Sequence, residues 1–189
     1  MNPKQLKHIL KMEDCNLRML FEIDKKNYKN NGSVFHRPSV RGIIMKDGRF
    51  AMIYSKKYNY YQFPGGGIEA GESMEDALIR EVSEEAGLCV IRNSIQEYGQ
   101  VHRVQKGTKE DIFIQDIYYF LCDVKETVAQ QKLEQYEAEE GFTLQFPEPQ
   151  LAINTNRAKH ISDVHRQTFY EQEARVLELL LQERFPENI

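Results

Sequence analysis

The chain has 189 residues, of which 41% are hydrophobic and 29% charged, and a formal net charge of −4, which suits one compact domain with its own core and excludes a largely disordered chain. No run of 18 apolar residues is present, and charges interrupt the short apolar pattern at the N-terminus, so we expect no membrane span, no signal peptide and a cytoplasmic protein. The acidic net charge excludes a general attraction to nucleic acid, and no such partner is expected.

The charges are divided unevenly along the chain. Residues 1–60 hold 13 Lys and Arg against 5 Asp and Glu, whereas residues 61–189 hold 12 against 24. This division is typical of an anionic substrate held opposite a metal-binding acid cluster, and equally of solvated charges that fall unevenly. The three cysteines lie far apart without C-x-x-C spacing, which predicts buried free thiols rather than a disulfide framework or a zinc site.

The first half of the chain predicts strands and a tight turn. LRMLFEI, within an N-terminal extension of residues 1–34, is a candidate strand, and NYKNNGS a loop. VRGIIMKDGRFAMIYS (40–55) has two β-rich runs around Lys46-Asp47-Gly48, which predicts a hairpin. Aromatic residues follow, and Pro64 with the three glycines after it predicts irregular backbone.

The segment GGGIEAGESMEDALIREVSEEAGL (65–88) predicts a loop followed by one helix. Ser73 can cap the start of that helix through its side chain, and Gly87 can end it in a left-handed conformation. Acidic residues in the first turn suit the positive end of the helix dipole. We therefore predict a helix from Met74 to Ala86.

The rest of the chain predicts further strands and two helices. DIFIQDIYYFLCDV (111–124) has apolar residues on both faces, which indicates a strand central in its sheet, and residues 95–105 are a neighbouring strand. FTLQF (142–146) predicts a short strand, followed by a helix around residues 148–155. Residues 163–185 have the spacing of a C-terminal amphipathic helix. No linker divides the chain, so residues 1–189 are expected to form a single domain.

The predicted helix 74–86 changes from apolar to acidic along the side that faces the core. Met74, Ala77 and Leu78 form the apolar stripe of the first two turns, and the same stripe continues into Glu81 and Glu85. Unpaired carboxylates that face the interior repel each other and lose hydration unless cations compensate. With only oxygen ligands nearby, the pattern predicts a hard ion such as Mg²⁺ or Mn²⁺. A solvated acidic face is the alternative.

The residues from Gly66 to Leu88 resemble the Nudix box of the Nudix hydrolase (MutT-like) family. The match runs from Gly66 through Glu72 to REVSEEAGL (80–88), without a departure at any fixed position. The resemblance implies an α/β (α+β) fold, a Nudix-type α/β/α sandwich around a mixed β-sheet, over about residues 38–155. It also implies metal-dependent hydrolysis of the pyrophosphate bond of a nucleoside diphosphate linked to another group, such as a nucleoside triphosphate, a nucleotide sugar or ADP-ribose.

The same resemblance implies roles for the residues of the box. Glu84 and Glu85 are the main metal ligands and Glu81 is a further ligand or the general base. The carbonyl oxygen of Gly66 is an additional metal ligand. Arg80 is expected to pair with the acid at the start of the box, Glu72, and so to orient the helix rather than touch the substrate.

Related proteins add a metal-binding carboxylate from outside the box. Glu137, Glu139 and Glu140 are the candidates here, and Glu140 is chosen because it precedes a glycine shortly before Phe146. A solvated loop is the alternative for this stretch.

Substrate contacts are expected from residues before the box. Arg37, Arg41 and Lys56, from the basic third of the chain, are candidate phosphate contacts, and Phe63 is a candidate to stack on a base. Core packing is the alternative for the aromatic residues in this stretch.

Folds of this kind also serve functions other than hydrolysis. A non-catalytic Nudix-fold ligand-binding or regulatory module is the alternative function, and the intact acids of the box favour catalysis over it. An isopentenyl diphosphate isomerase needs a cysteine motif that is absent. An added strand and helix outside the resemblance predict a homodimer interface. The box indicates which bond is cleaved and does not indicate which group is attached to the nucleoside diphosphate.

Overall fold

The fold is that of a computed structural model, which describes residues 17–29, 31–158 and 161–184. The strands are β1 (Met19–Asp24), β2 (Val34–His36), β3 (Ser39–Ile43), β4 (Met45–Lys46), β5 (Arg49–Phe50), β6 (Met52–Ser55), β7 (Tyr60–Gln62), β8 (Leu88–Val90), β9 (Gln96–Lys106), β10 (Ile112–Leu121), β11 (Val124–Val128) and β12 (Phe142–Gln145). The helices are α1 (Met74–Ala86), α2 (Gln135–Glu140), α3 (Pro149–Arg157) and α4 (Val164–Arg184).

The largest sheet among the described residues has five strands and is mixed. β9 and β10 pair antiparallel at its centre, and β1 adds parallel to the outer edge of β9. β2 and β3 lie one after the other along the remaining edge of β10, both parallel to it. Strand β10 is therefore central, which confirms the prediction for residues 111–124, and β1 confirms that LRMLFEI contains a strand.

Three smaller sheets accompany the main sheet among the described residues, and one of them is the antiparallel pair of β8 and β11. The hairpin β4–β5 turns at Asp47 and Gly48, whose φ angles of 51° and 76° are both left-handed, which confirms the predicted turn. A second sheet joins β12, β6 and β7 in that order, all antiparallel, and confirms the short strand at residues 142–145.

Helices pack on both faces of the main sheet, because the side chains of β10 alternate between two cores. Tyr118 and Phe120 point to the core that contains Leu78 of α1. Tyr119 points to the opposite core, which contains Leu177 of α4. This arrangement confirms the expected sandwich of helices around a mixed sheet.

The terminal segments are part of this domain where they are described. Strand β1 belongs to the main sheet, and residues 1–16 of the proposed extension lie outside the described residues. Helix α4 confirms the predicted C-terminal helix up to residue 184. Its apolar side packs within this chain, against α3 and β7, and is therefore not available for a dimer contact. The homodimer stays a prediction. No helix among the described residues is long and apolar enough to cross a membrane.

Candidate active site

Helix α1 begins and ends where its caps dictate. The Ser73 side chain accepts a hydrogen bond from the Asp76 N–H at 3.1 Å, and Glu75 and Asp76 lie in the positively polarised first turn. Gly87 ends the helix with a φ of 66°, and its N–H donates to the carbonyl oxygen of Ser83. The predicted bounds of this helix are confirmed.

The glycine loop before α1 lies directly against β3. The N–H of Val40 donates to the carbonyl oxygen of Gly66 at 2.9 Å, and that of Gly42 to Pro64 at 2.8 Å. Gly65 has a φ of 144°, and a Cβ there would come within 2.1 Å of the Val40 carbonyl oxygen. Only glycine allows the loop to approach the strand this closely, so the loop is fixed at one edge of β3.

Two buried charged side chains hold the loop from the other side. Arg41 of β3, 8% exposed, donates from Nη1 to the carbonyl oxygens of Phe63 and Gly65 at 2.8 and 2.6 Å. Glu173 of α4, fully buried, accepts from the Phe63 N–H at 2.7 Å and from the Tyr119 hydroxyl at 2.7 Å. Strand β3 and helix α4 therefore position the backbone of the glycine loop, which lies beside the acidic helix α1.

The prediction that Phe63 contacts the substrate is wrong. Its side chain is 0% exposed and packs edge-on against Phe50 and Tyr119 in the core beneath α4. The backbone of Phe63 takes part in the site, whereas its ring serves only the core. Local sequence does not distinguish these two uses of an aromatic residue before a glycine loop.

Glu85 is a buried carboxylate bonded to the glycine loop. It is 2% exposed, accepts the Gly65 N–H at 2.8 Å and accepts from the Gln62 side-chain amide at 3.2 Å. Burial raises the pKa of Glu85 well above its usual range, and the positive charge of Arg41 opposes that rise. A cation beside this group would favour its ionised form.

Arg80 connects the other acids of the helix. Its Nε and Nη2 donate to the two carboxylate oxygens of Glu72, each at 2.9 Å, so the expected pair is present and lowers the pKa of Glu72. Its Nη1 also reaches Glu81 at 2.7 Å and Glu84 at 3.3 Å, contacts that the sequence did not indicate. Glu84 remains 40% exposed, whereas burial raises the pKa of Glu81.

Gly66 makes room for a carboxylate against the backbone. A Cβ at this position would lie 2.4 Å from a carboxylate oxygen of Glu81. Its own carbonyl oxygen accepts the Val40 N–H, which uses one of the two lone pairs of that oxygen. The glycine therefore matters here for the space it leaves beside Glu81.

Glu140 lies outside α1 and lines, as does Asp163, the cavity beside the glycine loop. Its carboxylate lies 3.4 Å from the guanidinium of Arg166 and 3.4 Å from the hydroxyls of Ser55 and Tyr60. Glu137 instead caps the start of α2 by accepting the Glu134 N–H. The other candidate in this stretch, Glu139, is exposed and bonded to Gln135.

A cavity of about 350 Å³ separates the sheet from the first turns of α4. It is lined by acids, arginines and aromatic rings: Arg37, Ser39, Arg41, Tyr60, Gln62, Gly65, Gly66, Glu85, Thr108, Gln115, Tyr136, Glu140, Phe142, Asp163, His165, Arg166, Phe169 and Tyr170. Lys56 is not among these residues, because it is exposed on the turn after β6, beside Gly141. The structure thus brings Arg37 and Arg41 to the cavity and leaves Lys56 outside it.

The acids fit a hard divalent cation in kind, although they are not gathered around one point. Within the ranges that the structure describes, no three His, Cys, Asp or Glu side chains are grouped so as to hold a metal ion. Arg80 draws Glu81 and Glu84 to its guanidinium, while Glu85 is bonded to the loop. Buried carboxylates whose pKa values are raised favour a neighbouring positive charge, and an all-oxygen donor set suits Mg²⁺ or Mn²⁺.

Glu173 is a functional residue that the sequence interpretation missed. A signal for it exists, because an acid at this position falls among the apolar residues Tyr170, Ala174 and Leu177 at helical spacing. A charged residue within an apolar stripe indicates a buried partner, which here is the loop N–H of Phe63.

Comparisons with known proteins agree with this geometry. Residues 35–164 match a family model described as the NUDIX domain. The chain is 33% identical over 101 residues to an ADP-ribose pyrophosphatase of Methanocaldococcus jannaschii, covering 50% of this chain and 60% of that protein. It is 45% identical over 56 residues to an RNA pyrophosphohydrolase of Saccharophagus degradans, covering 28% of this chain and 32% of that protein. The chain thus spans less than two thirds of either relative.

A solved structure shows the same fold. A NUDIX hydrolase from Nitrosomonas europaea superimposes with a TM-score of 0.51 over 75% of this chain and 91% of its own, at 16% sequence identity. At that identity the likeness concerns the fold alone.

Proposed function

The chain belongs to the NUDIX family, and from that premise we propose that it hydrolyses the pyrophosphate bond of a nucleoside diphosphate linked to another group, using Mg²⁺ or Mn²⁺. The observation that supports this most is the complete acidic set of α1, Glu81, Glu84 and Glu85, beside a glycine loop that opens on a cavity with arginines. The names of both curated relatives refer to the pyrophosphate bond.

The residues that would hold the cation are Glu84, Glu85 and Glu81, with Glu140 and the carbonyl oxygen of Gly66 as further donors. Such a cation, when bound, neutralises phosphate oxygens and makes a bound water more acidic. Glu81 is the candidate proton acceptor, because burial raises its pKa and so its affinity for a proton.

The remaining residues position the reacting groups. Arg41 and Arg37 face the cavity and supply donors for phosphate oxygens. Arg80 neutralises Glu81 and Glu84 by ion pairs, and its bond to Glu72 keeps it at the start of the box. The loop bonds of Arg41 fix the backbone to which Glu85 is bonded, so the acidic side chain enters the site in one orientation.

A substrate screen tests this proposal. Nucleoside triphosphates, nucleotide sugars, ADP-ribose, dinucleoside polyphosphates and RNA with a 5′-triphosphate are each incubated with Mg²⁺, and the phosphate, pyrophosphate and nucleotide products are separated. We expect cleavage of at least one of them, abolished by chelation. Turnover that survives complete chelation contradicts the proposal. Binding without any cleavage indicates the alternative, a non-catalytic ligand-binding module.

A further inference from the structure

The sheet face beneath the cavity has three arginines on one side. Arg37 and Arg41 line the cavity directly. Arg103 of β9 lies opposite Gln115 of β10 in the antiparallel ladder and donates from Nη2 to the Gln115 side chain, and Gln115 lines the cavity. Gln115 in turn donates to the hydroxyl of Ser39 at 2.9 Å. A chain of hydrogen bonds therefore joins Arg103 to the cavity wall.

The guanidinium groups of Arg41 and Arg103 converge on one aromatic ring. Their central carbons lie 5.4 and 5.9 Å from the centroid of Phe169, a ring of α4 that lines the cavity. The guanidinium carbon of Arg103 also lies 5.5 Å from the centroid of the Phe113 ring. Arg103 is not itself among the cavity-lining residues, so it meets the cavity wall at the ring of Phe169.

Both arginines have buried donors without a partner. Among the described residues, Nε and Nη1 of Arg103 and Nε of Arg41 donate to no hydrogen-bond acceptor, although Arg103 is only 5% exposed and Arg41 only 8%. Buried guanidinium N–H groups lose their hydration and are normally matched by acceptors. Contacts with two phenylalanine rings account for the position of Arg103 and leave these donors unmatched.

The charges around Arg103 are also unmatched. Burial, together with the neighbouring cations Arg41 and Arg37, lowers the pKa of Arg103 to about 10, while Tyr119 and the carboxylate of Glu173 oppose that shift. Glu173 is already bonded to the Phe63 N–H and to Tyr119. Two carboxylates, Glu173 and the Glu85 carboxylate that acts on Arg41, therefore face three guanidinium groups, and the remaining positive charge suits an anion.

We propose that Arg103, together with Arg41 and Arg37, forms a second phosphate subsite on the sheet side of the cavity. The subsite takes a phosphate beyond the two that flank the scissile bond, an assignment that rests on the proposed function. Planar guanidinium donors suit phosphate oxygens, and the ring of Phe169 is what an entering phosphate displaces. The substrate is then a nucleoside triphosphate or a longer polyphosphate derivative, rather than a nucleotide sugar or ADP-ribose.

Binding without turnover tests the subsite. Calorimetry in chelator compares ADP with ATP, and GDP with GTP, so that each pair differs by one phosphate. We expect one triphosphate to bind ~10- to 100-fold more tightly than its diphosphate, the effect of one or two charge-assisted hydrogen bonds. Arg103→Met should reduce this ratio to near one. Arg175→Met is the matched control, because Arg175 stacks on Phe21, a ring of the α4-side core that is not among the cavity-lining residues, and should keep the ratio.

Thermal melts of the ligand-free variants separate a binding role from a packing role. Because Arg103 is buried with unmatched donors, Arg103→Met should melt at or above the wild-type temperature. Arg103→Lys, which keeps the charge and loses the planar fork, should fold and show an intermediate ratio, so it decides the question if the methionine variant does not fold. Equal affinity of wild type for the two members of both pairs overturns the proposal, as does an Arg103 variant with the wild-type ratio. These outcomes leave hydrolysis of ADP-ribose untouched, so the two proposals fail separately.

Discussion

Glu72 and Glu84 should fail in different ways when each is changed to glutamine, although both contact Arg80. Glu72 accepts two charge-assisted hydrogen bonds at 2.9 Å in a pair whose side chains are 26% and 16% exposed. Glu84 accepts one contact at 3.3 Å and is 40% exposed. The first pair is geometrically strong and partly screened from water, whereas the second resembles a surface ion pair.

These geometries give different magnitudes. Hydrogen bonds to charged groups contribute about 1.5–3 kcal/mol, and glutamine retains part of them, so Glu72→Gln should cost roughly 1–3 kcal/mol. Glu84→Gln loses an exposed ion pair, which contributes roughly 0.2–1 kcal/mol. The same change removes one negative charge and so relieves repulsion among Glu81, Glu84 and Glu85. The metal-free variant should therefore be as stable as the wild type or more stable. For a domain of this size, each kcal/mol shifts the melting temperature by about 2–4 °C.

Thermal melts in chelator and turnover with Mg²⁺ measure the two effects separately. Glu84→Gln should reduce turnover by orders of magnitude, since it removes a charge from the candidate cation site, while Glu72→Gln reduces it less. Glu126→Gln, at an exposed position of β11 that does not line the cavity, is the matched control for both assays. If Glu84→Gln keeps near-normal turnover and destabilises the metal-free protein, the acidic set is a structural network and the cation assignment is refuted.

Three further predictions follow from single contacts. Glu140→Gln should lower turnover about 10- to 100-fold with little effect on the melting temperature, because Glu140 lines the cavity. Glu137→Gln, which weakens the cap of α2, should cost ~1 kcal/mol of stability and keep turnover. Equal losses of turnover in the two variants would contradict these separate roles. Gly66→Ala should lower turnover and cost less than about 1 kcal/mol in melts, because its Cβ would meet the Glu81 carboxylate at 2.4 Å and displace this flexible side chain; unchanged turnover would show that the position of Glu81 is not needed for activity. The bond to Asp116 raises the pKa of His102 above 6.5, so the stabilisation from this bond is complete below pH 6.5 and is lost as the pH rises through the raised pKa. The difference in unfolding free energy between wild type and His102→Gln should therefore shrink as the pH rises from 6.5 through that pKa. A difference that does not depend on pH would refute the pairing.

The sequence alone determined the features that depend on neighbouring residues. The bounds of α1 were predictable because Ser73 and Gly87 satisfy backbone groups within one turn of themselves. The turn at Asp47-Gly48 was predictable from its own φ requirements, and the central strand from its run of apolar residues. The family was predictable from fixed residues at fixed spacing within 23 positions, because that pattern can be recognised in the sequence without a structure.

Only the tertiary structure decided what each side chain faces. Glu173 bonds the N–H of Phe63 across 110 residues of chain, and Arg103 meets Phe169 only because β9 and α4 lie on the two sides of one core. The same geometry turns the ring of Phe63 inward and leaves Lys56 outside the cavity. Sheet register and helix packing determine such contacts, and both depend on the whole core rather than on local spacing. The residue type therefore limits the chemistry that is possible at a position, whereas the tertiary fold determines which partner the side chain meets.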